Sequence, residues 1–138
     1  MNFSESYTFV LEMTVRDYEL DYQGIVNNAN YLHYMEHTRH EFCASAGLTF
    51  AQMHERGIDP VLCHVEIDYF HPLRSDDRFF SCLKIARRGP RFIFIQDLYL
   101  ADGTPVVKAR ITVACLENGR LTRGDVLFDA FSKYLTEI

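Results

Sequence analysis

The sequence lacks several features that would mark particular classes of protein. It contains four cysteines but no Cys-x-x-Cys pair, so neither a zinc ribbon nor a thioredoxin-type site is expected. No apolar run approaches the roughly 20 residues that a membrane-spanning helix needs. Basic residues form no long run and the net charge is −5, which argues against nucleic acid and anionic membranes as partners. No basic segment followed by an apolar stretch opens the chain, so we predict that there is no signal peptide. We also predict that the protein is cytoplasmic and that its four thiols are free.

What the chain does have is the composition of an ordinary folded domain. Its 138 residues are the length of one domain. Hydrophobic residues make up 48% of the sequence, which is typical of a globular protein. A chain of this length buries enough surface to need no disulfide or structural metal. We therefore predict a single domain that spans residues 1–138.

The hydrophobic pattern divides the chain into an early helical part and a later β-rich part. Alternating apolar residues indicate strands over residues 7–15, 61–69, 79–86, 92–100 and 106–116. Helical spacing indicates a long helix over residues 30–46. Thr49 and Gln52 have the spacing of a capping box and predict a short second helix that ends near Gly57, and a short final helix is expected over residues 126–135. The last strands follow one another directly, with Asp102-Gly103 as a hairpin signal. The pattern therefore predicts an α+β fold, in which a curved antiparallel sheet wraps a long central helix.

The segment before the long helix carries most of the chemistry. It combines a carboxylate, Asp21, with Gly24 and with three asparagines, any of which could cap the helix: Asn27, Asn28 and Asn30. Free N–H groups at a helix start can stabilise an oxyanion, and a nearby carboxylate can attack a carbonyl or activate water. Spacing alone, however, favours the simpler interpretation of an acidic turn, because Asp, Asn and Gly are ordinary turn and cap residues.

Two longer motifs resemble a known family. The motif from Asp21 to Tyr34 (Asp-x-x-Gly-Ile-Val, then Asn-Tyr-x-x-Tyr) resembles the signature of the 4-hydroxybenzoyl-CoA thioesterase group of hot-dog proteins. The segment from Asp68 to Asp77 (Asp-Tyr-Phe-x-Pro-Leu-x-x-Asp-Asp) is similar to a strand and turn of the same group. This resemblance implies a hot-dog domain that hydrolyses acyl-CoA to a free acid and CoA. It also implies a homodimer or homotetramer, with sheets joined edge to edge and the site between subunits.

The resemblance assigns roles to individual residues. It places the catalytic carboxylate on Asp21 and the oxyanion donor on the backbone N–H of Asn28. The residues expected to contact the substrate are Gly24, Val26, Asn27, Tyr31, Arg87, Arg88 and Arg91. Of these, Tyr31 lies on a helix, where an aromatic residue is more often part of the core than of a pocket. The three arginines could either hold a phosphate or solvate a turn. We predict neither a cofactor nor a metal, since the helical histidines fit a polar helix face.

One carboxylate is enough for thioester hydrolysis. A thiol has a pKa near 8.5, so a thiolate leaves without strong acid assistance. Asp21 could attack directly or deprotonate water, and the sequence does not separate these roles. Two alternatives stay open, namely a non-hydrolytic acyl-CoA binding module and a hydratase or dehydratase. The second normally needs a paired acid and base, and no histidine occurs between Arg16 and Leu32.

Overall fold

The structure, a computed structural model, describes residues 2–138 as a six-stranded antiparallel sheet around one long helix. The strands are β1 (Phe9–Thr14), β2 (Ile58–Tyr69), β3 (Arg78–Arg88), β4 (Arg91–Leu100), β5 (Pro105–Glu117) and β6 (Arg120–Leu121). The helices are α1 (Asn28–Ser45), α2 (Phe50–Glu55) and α3 (Asp125–Phe131). The strand order is β1-β3-β4-β5-β2, and β6 pairs with the end of β5. This is the α+β arrangement that the sequence predicts.

The element boundaries differ from the predictions in a few places. β2 begins at Ile58 and includes Pro60, whereas the pattern placed its start at residue 61. Because β2 lies at the edge of the sheet, a residue without an N–H is tolerated there. The last predicted helix is shorter than expected, since α3 ends at Phe131 and a 3₁₀ turn follows. The predicted capping box of α2 is confirmed, with Thr49 and Gln52 bonding each other's backbone N–H groups.

Helix α1 packs its buried face against the inner surface of the sheet. Its buried residues are Tyr31, Tyr34, Met35, Thr38, Arg39, Phe42 and Cys43. Fully burying one large apolar side chain contributes about 1.5–3 kcal/mol. Two buried hydrogen bonds also join α1 to the sheet. Thr38 lies 2.7 Å from Ser81 of β3, and Gln96 of β4 donates to the Met35 carbonyl at 2.9 Å. These contacts help to hold the middle of α1 against the sheet.

The two edges of the sheet are covered differently. β1 is short, and the backbone of Thr136 extends its edge by donating to Ile85 of β3 at 2.7 Å. β2 is 12 residues long, and within residues 2–138 no strand pairs with its outer side. Its exposed apolar residues and those just after it are Val61, Leu62, Tyr69 and Phe70. Within the described residues, no helix has the length and apolar character needed to cross a membrane.

Candidate active site

The segment before α1 folds into a small hairpin, called here the Asp21 loop (residues 16–27). At its base the Glu19 carbonyl accepts a hydrogen bond from Asn27 N–H at 3.0 Å. Nearer the tip, Asp21 N–H donates to the Ile25 carbonyl at 2.8 Å. Gly24 closes the turn with a φ of 82°, a conformation that glycine adopts without strain. These backbone hydrogen bonds close the hairpin and place Asp21 near its tip.

The Asp21 carboxylate is held by one oxygen only. Its Oδ1 accepts hydrogen bonds from the backbone N–H groups of Gln23 at 2.8 Å and Ile25 at 3.5 Å. None of the hydrogen bonds among residues 2–138 uses its Oδ2. One oxygen thus orients the group, and the other is left for a ligand or a water molecule.

The start of α1 supplies a free donor beside this carboxylate. Asn27 is the N-cap, because its side chain accepts from Ala29 N–H at 3.0 Å. This settles which of the three asparagines caps the helix, since Asn30 instead donates its side chain to the Glu19 carbonyl at 2.8 Å. Asn28 is the first helical residue, and its N–H has no acceptor among residues 2–138. Such an orphan donor carries part of the positive end of the helix dipole.

A cleft of about 520 Å³ brings the two groups together. Its lining residues are Asp21, Gln23, Ile25, Val26, Asn28, Tyr31, Tyr69, Phe70, His71 and Pro72. Four of the predicted site residues therefore share one space. Gly24 and Asn27 do not line it, and they act through the loop turn and the helix cap.

Tyr31 is both a core residue and a wall of the cleft. Its side chain is almost fully buried, and its hydroxyl accepts a hydrogen bond from Leu73 N–H at 3.1 Å. Burial raises the pKa of Tyr31, so the phenol stays protonated at neutral pH. The two interpretations of this residue are therefore compatible.

The opposite wall of the cleft was not among the predicted site residues. This wall lies about 40 residues after α1 begins, and the pairing of β2 with β5 helps to bring it to the N-terminus of that helix. It consists of Tyr69, Phe70, His71 and Pro72. The contact is direct, because the Tyr69 hydroxyl reaches the Asn28 carbonyl at 3.5 Å. The motif from Asp68 to Asp77 was the available signal, although it marked family resemblance and not a position in the site.

The three arginines do not form one cluster. Arg87 Nη2 donates to Asp125 at 2.8 Å and to the Arg123 carbonyl at 2.7 Å, and its guanidinium lies near the rings of Phe92 and Phe128. Its hydrogen bond to Asp125 holds the pKa of that carboxyl below its usual value. Arg87 therefore ties α3 to the sheet.

Arg88 and Arg91 point to the other face of the sheet. They pair across β3 and β4 and line a cavity of about 200 Å³ with His64, Ile93 and Thr112. The alternation of side chains along a strand explains the separation from Arg87, since neighbours point to opposite faces. Two of the three predicted phosphate contacts are thus brought together.

The histidines of α1 make local contacts. His33 lies 3.2 Å from the Asn30 side chain, and His37 lies 3.9 Å from Glu41. Within residues 2–138, no group of three or more histidine, cysteine or acidic side chains is placed to hold a metal ion.

Comparison with known sequences gives a family. The profile of the family described as the Thioesterase-like superfamily matches residues 15–131. The chain is 33% identical to acyl-acyl carrier protein thioesterase ATL3 of Arabidopsis thaliana chloroplasts, over 78% of this chain and 58% of that protein. It is 36% identical to the related ATL2, with the same coverage. The chain thus spans 58% of the length of these two relatives.

Comparison with solved structures gives the same fold. A hypothetical protein from Aquifex aeolicus is 30% identical, with a TM-score of 0.82 over 88% of this chain and 98% of that one. A 1,4-dihydroxy-2-naphthoyl-CoA thioesterase from Synechocystis is 21% identical, with a TM-score of 0.77 over 83% of this chain and 87% of that one. A Staphylococcus aureus protein solved in complex with CoA has a TM-score of 0.80 at 18% identity, over 94% of this chain and 87% of that one.

Proposed function

Because the chain belongs to the Thioesterase-like superfamily and has the hot-dog fold, we propose that it hydrolyses acyl-CoA thioesters in the Asp21 cleft. Family membership and thioesterase relatives support thioester hydrolysis in general. One observation carries the assignment to this cleft. Asp21, whose carboxylate has one oxygen without a hydrogen bond, and Asn28, whose N–H has no acceptor, both line this cleft within the described residues.

The geometry supports a simple mechanism. The thioester carbonyl oxygen accepts a hydrogen bond from Asn28 N–H, where the helix dipole stabilises the charge that develops on it. Asp21 then either attacks the carbonyl carbon to form an anhydride, which water hydrolyses, or deprotonates a water molecule that attacks instead. In both routes the C–S bond breaks, and the thiolate leaves without a dedicated acid. The products are a carboxylic acid and a thiol.

The lining of the cleft suits an acyl group. Tyr31, Tyr69 and Phe70 contribute aromatic surface, with the rings of Tyr31 and Tyr69 edge to face at 5.5 Å. For the CoA carrier, Arg88 and Arg91 are the candidate phosphate contacts, because their guanidinium groups can pair with phosphate oxygens. Arg87, which the resemblance also implied, is occupied by Asp125. The two plant relatives favour acyl carrier protein as an alternative carrier of the same thioester.

The proposed active form is a homodimer or homotetramer joined through β2. Support comes from the 12-residue edge strand, whose backbone offers unpaired hydrogen-bonding groups. Apolar side chains at Val61, Leu62 and Phe70 are exposed along it, and its end forms one wall of the cleft. A partner's sheet would cover this edge and close the cleft. Analytical ultracentrifugation measures the mass, and a monomer at all concentrations would contradict the proposal.

One observation favours a second candidate, a hydratase or dehydratase. Although the Asp21 loop has no histidine, the fold places His71 in the same cleft as Asp21. A carboxylate and an imidazole could supply the paired acid and base that such chemistry needs. A non-hydrolytic binding module is the third candidate function, and it predicts CoA binding without turnover.

A substrate panel separates these functions. Thiol release is measured on aromatic, short and long acyl-CoAs and on the matching acyl-acyl carrier proteins, while loss of conjugated enoyl-CoA absorbance reports hydration. Thiol release on at least one acyl thioester is the expected result, and the preferred carrier follows from kcat/KM. Hydration without thiol release would establish the second candidate, and tight CoA binding without either reaction would establish the third.

A further inference from the structure

We propose that Glu19 is a positioning residue that sets the Asp21 carboxylate against the Asn28 N–H by fixing the base of the Asp21 loop on α1. This inference rests on the proposed function of the cleft. Glu19 itself does not line the cleft, so its effect on the reaction passes through the loop.

The backbone of Glu19 makes the first attachment. Its carbonyl oxygen accepts two hydrogen bonds, from Asn27 N–H at 3.0 Å and from the Asn30 side chain at 2.8 Å. Asn27 is the N-cap of α1, and Asn30 lies in its first turn. The base of the loop is therefore bonded to the same helical turn that carries the Asn28 N–H.

The side chain of Glu19 makes the second attachment. Its Oε1 accepts hydrogen bonds from Arg16 N–H at 2.7 Å and from the Tyr34 hydroxyl at 2.9 Å. Arg16 begins the loop, and Tyr34 lies in the second turn of α1. Glu19 is only 8% exposed and Tyr34 only 2%. A buried glutamate is rare unless its charge is paired, and here two donors and the Arg16 guanidinium at 3.6 Å satisfy it.

The two attachments leave the loop little freedom. Asp21 follows Glu19 by two residues, with Leu20 paired to Val26 between them. The buried hydrogen bond to Glu19 also contributes, after burial itself, to the raised pKa of Tyr34, so this phenol remains a donor at every working pH. Displacing a reacting group by about 1 Å can cost roughly 100-fold in rate. Loosening the base of the loop should therefore slow the reaction even though substrate contacts are unchanged.

Three variants test this inference on the full-length protein. Glu19→Ala removes the oxygen that accepts both side-chain hydrogen bonds, whereas Glu19→Gln keeps a neutral oxygen that can still accept from Arg16 N–H and Tyr34. Tyr34→Phe removes one bond and is the milder probe if Glu19→Ala folds poorly. Ser81→Ala is the matched control, because it removes a buried hydrogen bond between α1 and the sheet without touching the loop. For each, kcat, KM and Tm are measured with the best acyl thioester.

The expected result is a fall in kcat of about 10- to 100-fold for Glu19→Ala, with KM nearly unchanged. Glu19→Gln should recover kcat to within about threefold of wild type, and Tyr34→Phe should lose about three- to tenfold. Ser81→Ala should lower Tm without lowering kcat. The pH profile of kcat should keep its shape in all four, because Glu19 transfers no proton in the reaction.

Other results overturn the inference. Wild-type kcat in Glu19→Ala, or in Tyr34→Phe if Glu19→Ala fails to fold, would remove the positioning role. Equal losses in Glu19→Gln and Glu19→Ala would show that the charge acts, not the attachment. Asp21→Asn belongs in the same panel. If it is inactive while Glu19→Ala retains wild-type kcat, the positioning role alone fails. If Asp21→Asn is as active as wild type, the proposed function fails.

Discussion

The Asp21 loop and the turn between β3 and β4 both carry charged residues that the sequence marked as functional, yet the fold uses them differently. In the loop, backbone groups satisfy one another, so Asp21 keeps one carboxylate oxygen free at the cleft. Beside the turn, Arg87 of β3 is used by the fold itself, since it donates hydrogen bonds to Asp125 and to two backbone carbonyls. A charged side chain is free to bind a substrate only where other groups make the hydrogen bonds that hold the surrounding fold together. Each prediction below tests one side of this contrast.

The largest effect is expected from removing the Asn28 N–H. Asn28→Pro deletes this donor and little else, because proline is favoured at the first helical position. The preceding residue, Asn27, has φ −59° and ψ 135°, which suits a residue before proline. Losing one oxyanion donor costs about 100- to 1,000-fold in kcat, and steady-state kinetics measures it. Asn28→Ala keeps the N–H and should retain most activity, so equal losses in the two variants would contradict the assignment.

A smaller effect is expected from the other face of the β3–β4 turn. If Arg88 and Arg91 bind CoA phosphates, the double variant Arg88→Ala and Arg91→Ala should raise KM for acyl-CoA about tenfold and leave kcat unchanged. The same variant should hydrolyse an acyl-N-acetylcysteamine, which has no phosphate, with wild-type KM. A KM increase of the same size for both substrates would contradict phosphate binding by these two arginines.

Arg87 should behave as a structural residue. Arg87→Ala removes its bonds to Asp125 and to two carbonyls, together with its contacts to aromatic rings. We expect a loss of about 2 kcal/mol in unfolding free energy and a fall in Tm of roughly 4–8 °C, with KM for acyl-CoA unchanged. Arg88→Ala is the control and should leave Tm unaltered. A raised KM for acyl-CoA with an unchanged Tm would indicate instead that Arg87 contacts the substrate.

The smallest effect is expected from Asp125→Asn, and it should depend on pH. Arg87 holds the pKa of Asp125 below its usual value of 3.8. A lowered folded-state pKa stabilises the fold above the usual value, and this contribution disappears as the pH falls through the folded-state pKa. Thermal denaturation at neutral pH should show a Tm lower by about 2 °C, because the pair is exposed. The Tm difference between Asp125→Asn and wild type should vanish in strong acid. A Tm difference that increased as the pH was lowered would contradict this dependence on the Asp125 pKa.

Much of the fold was predictable because its signals are local. Alternation located five of the six strands, the Asp102-Gly103 turn joined β4 to β5, and Thr49 with Gln52 marked the start of α2. β6 was missed because two residues carry no periodicity. The start of β2 was misplaced because Pro60 argues against a strand unless the strand is known to be an edge.

The site was predictable only where its residues are close in sequence. The motif and the helix start pointed to Asp21 and Asn28, which share the cleft. The wall formed by Tyr69 and His71 depends on strand pairing, which no local pattern encodes. The role proposed for Glu19 was hidden for a similar reason, since its partner Tyr34 lies beyond the loop, in the second turn of α1. The homo-oligomer and the cytoplasmic location stay predictions.

The most direct test of the account is the Asp21→Asn variant, assayed for both binding and turnover. Calorimetry measures its affinity for a CoA thioester, and thiol release under saturating substrate measures its kcat. We expect an affinity within a few-fold of wild type and a kcat lower by at least about 100-fold, since the amide neither attacks the carbonyl nor accepts a proton from water. Equal kcat values in the two proteins would contradict it, because the carboxylate could then have no part in the reaction.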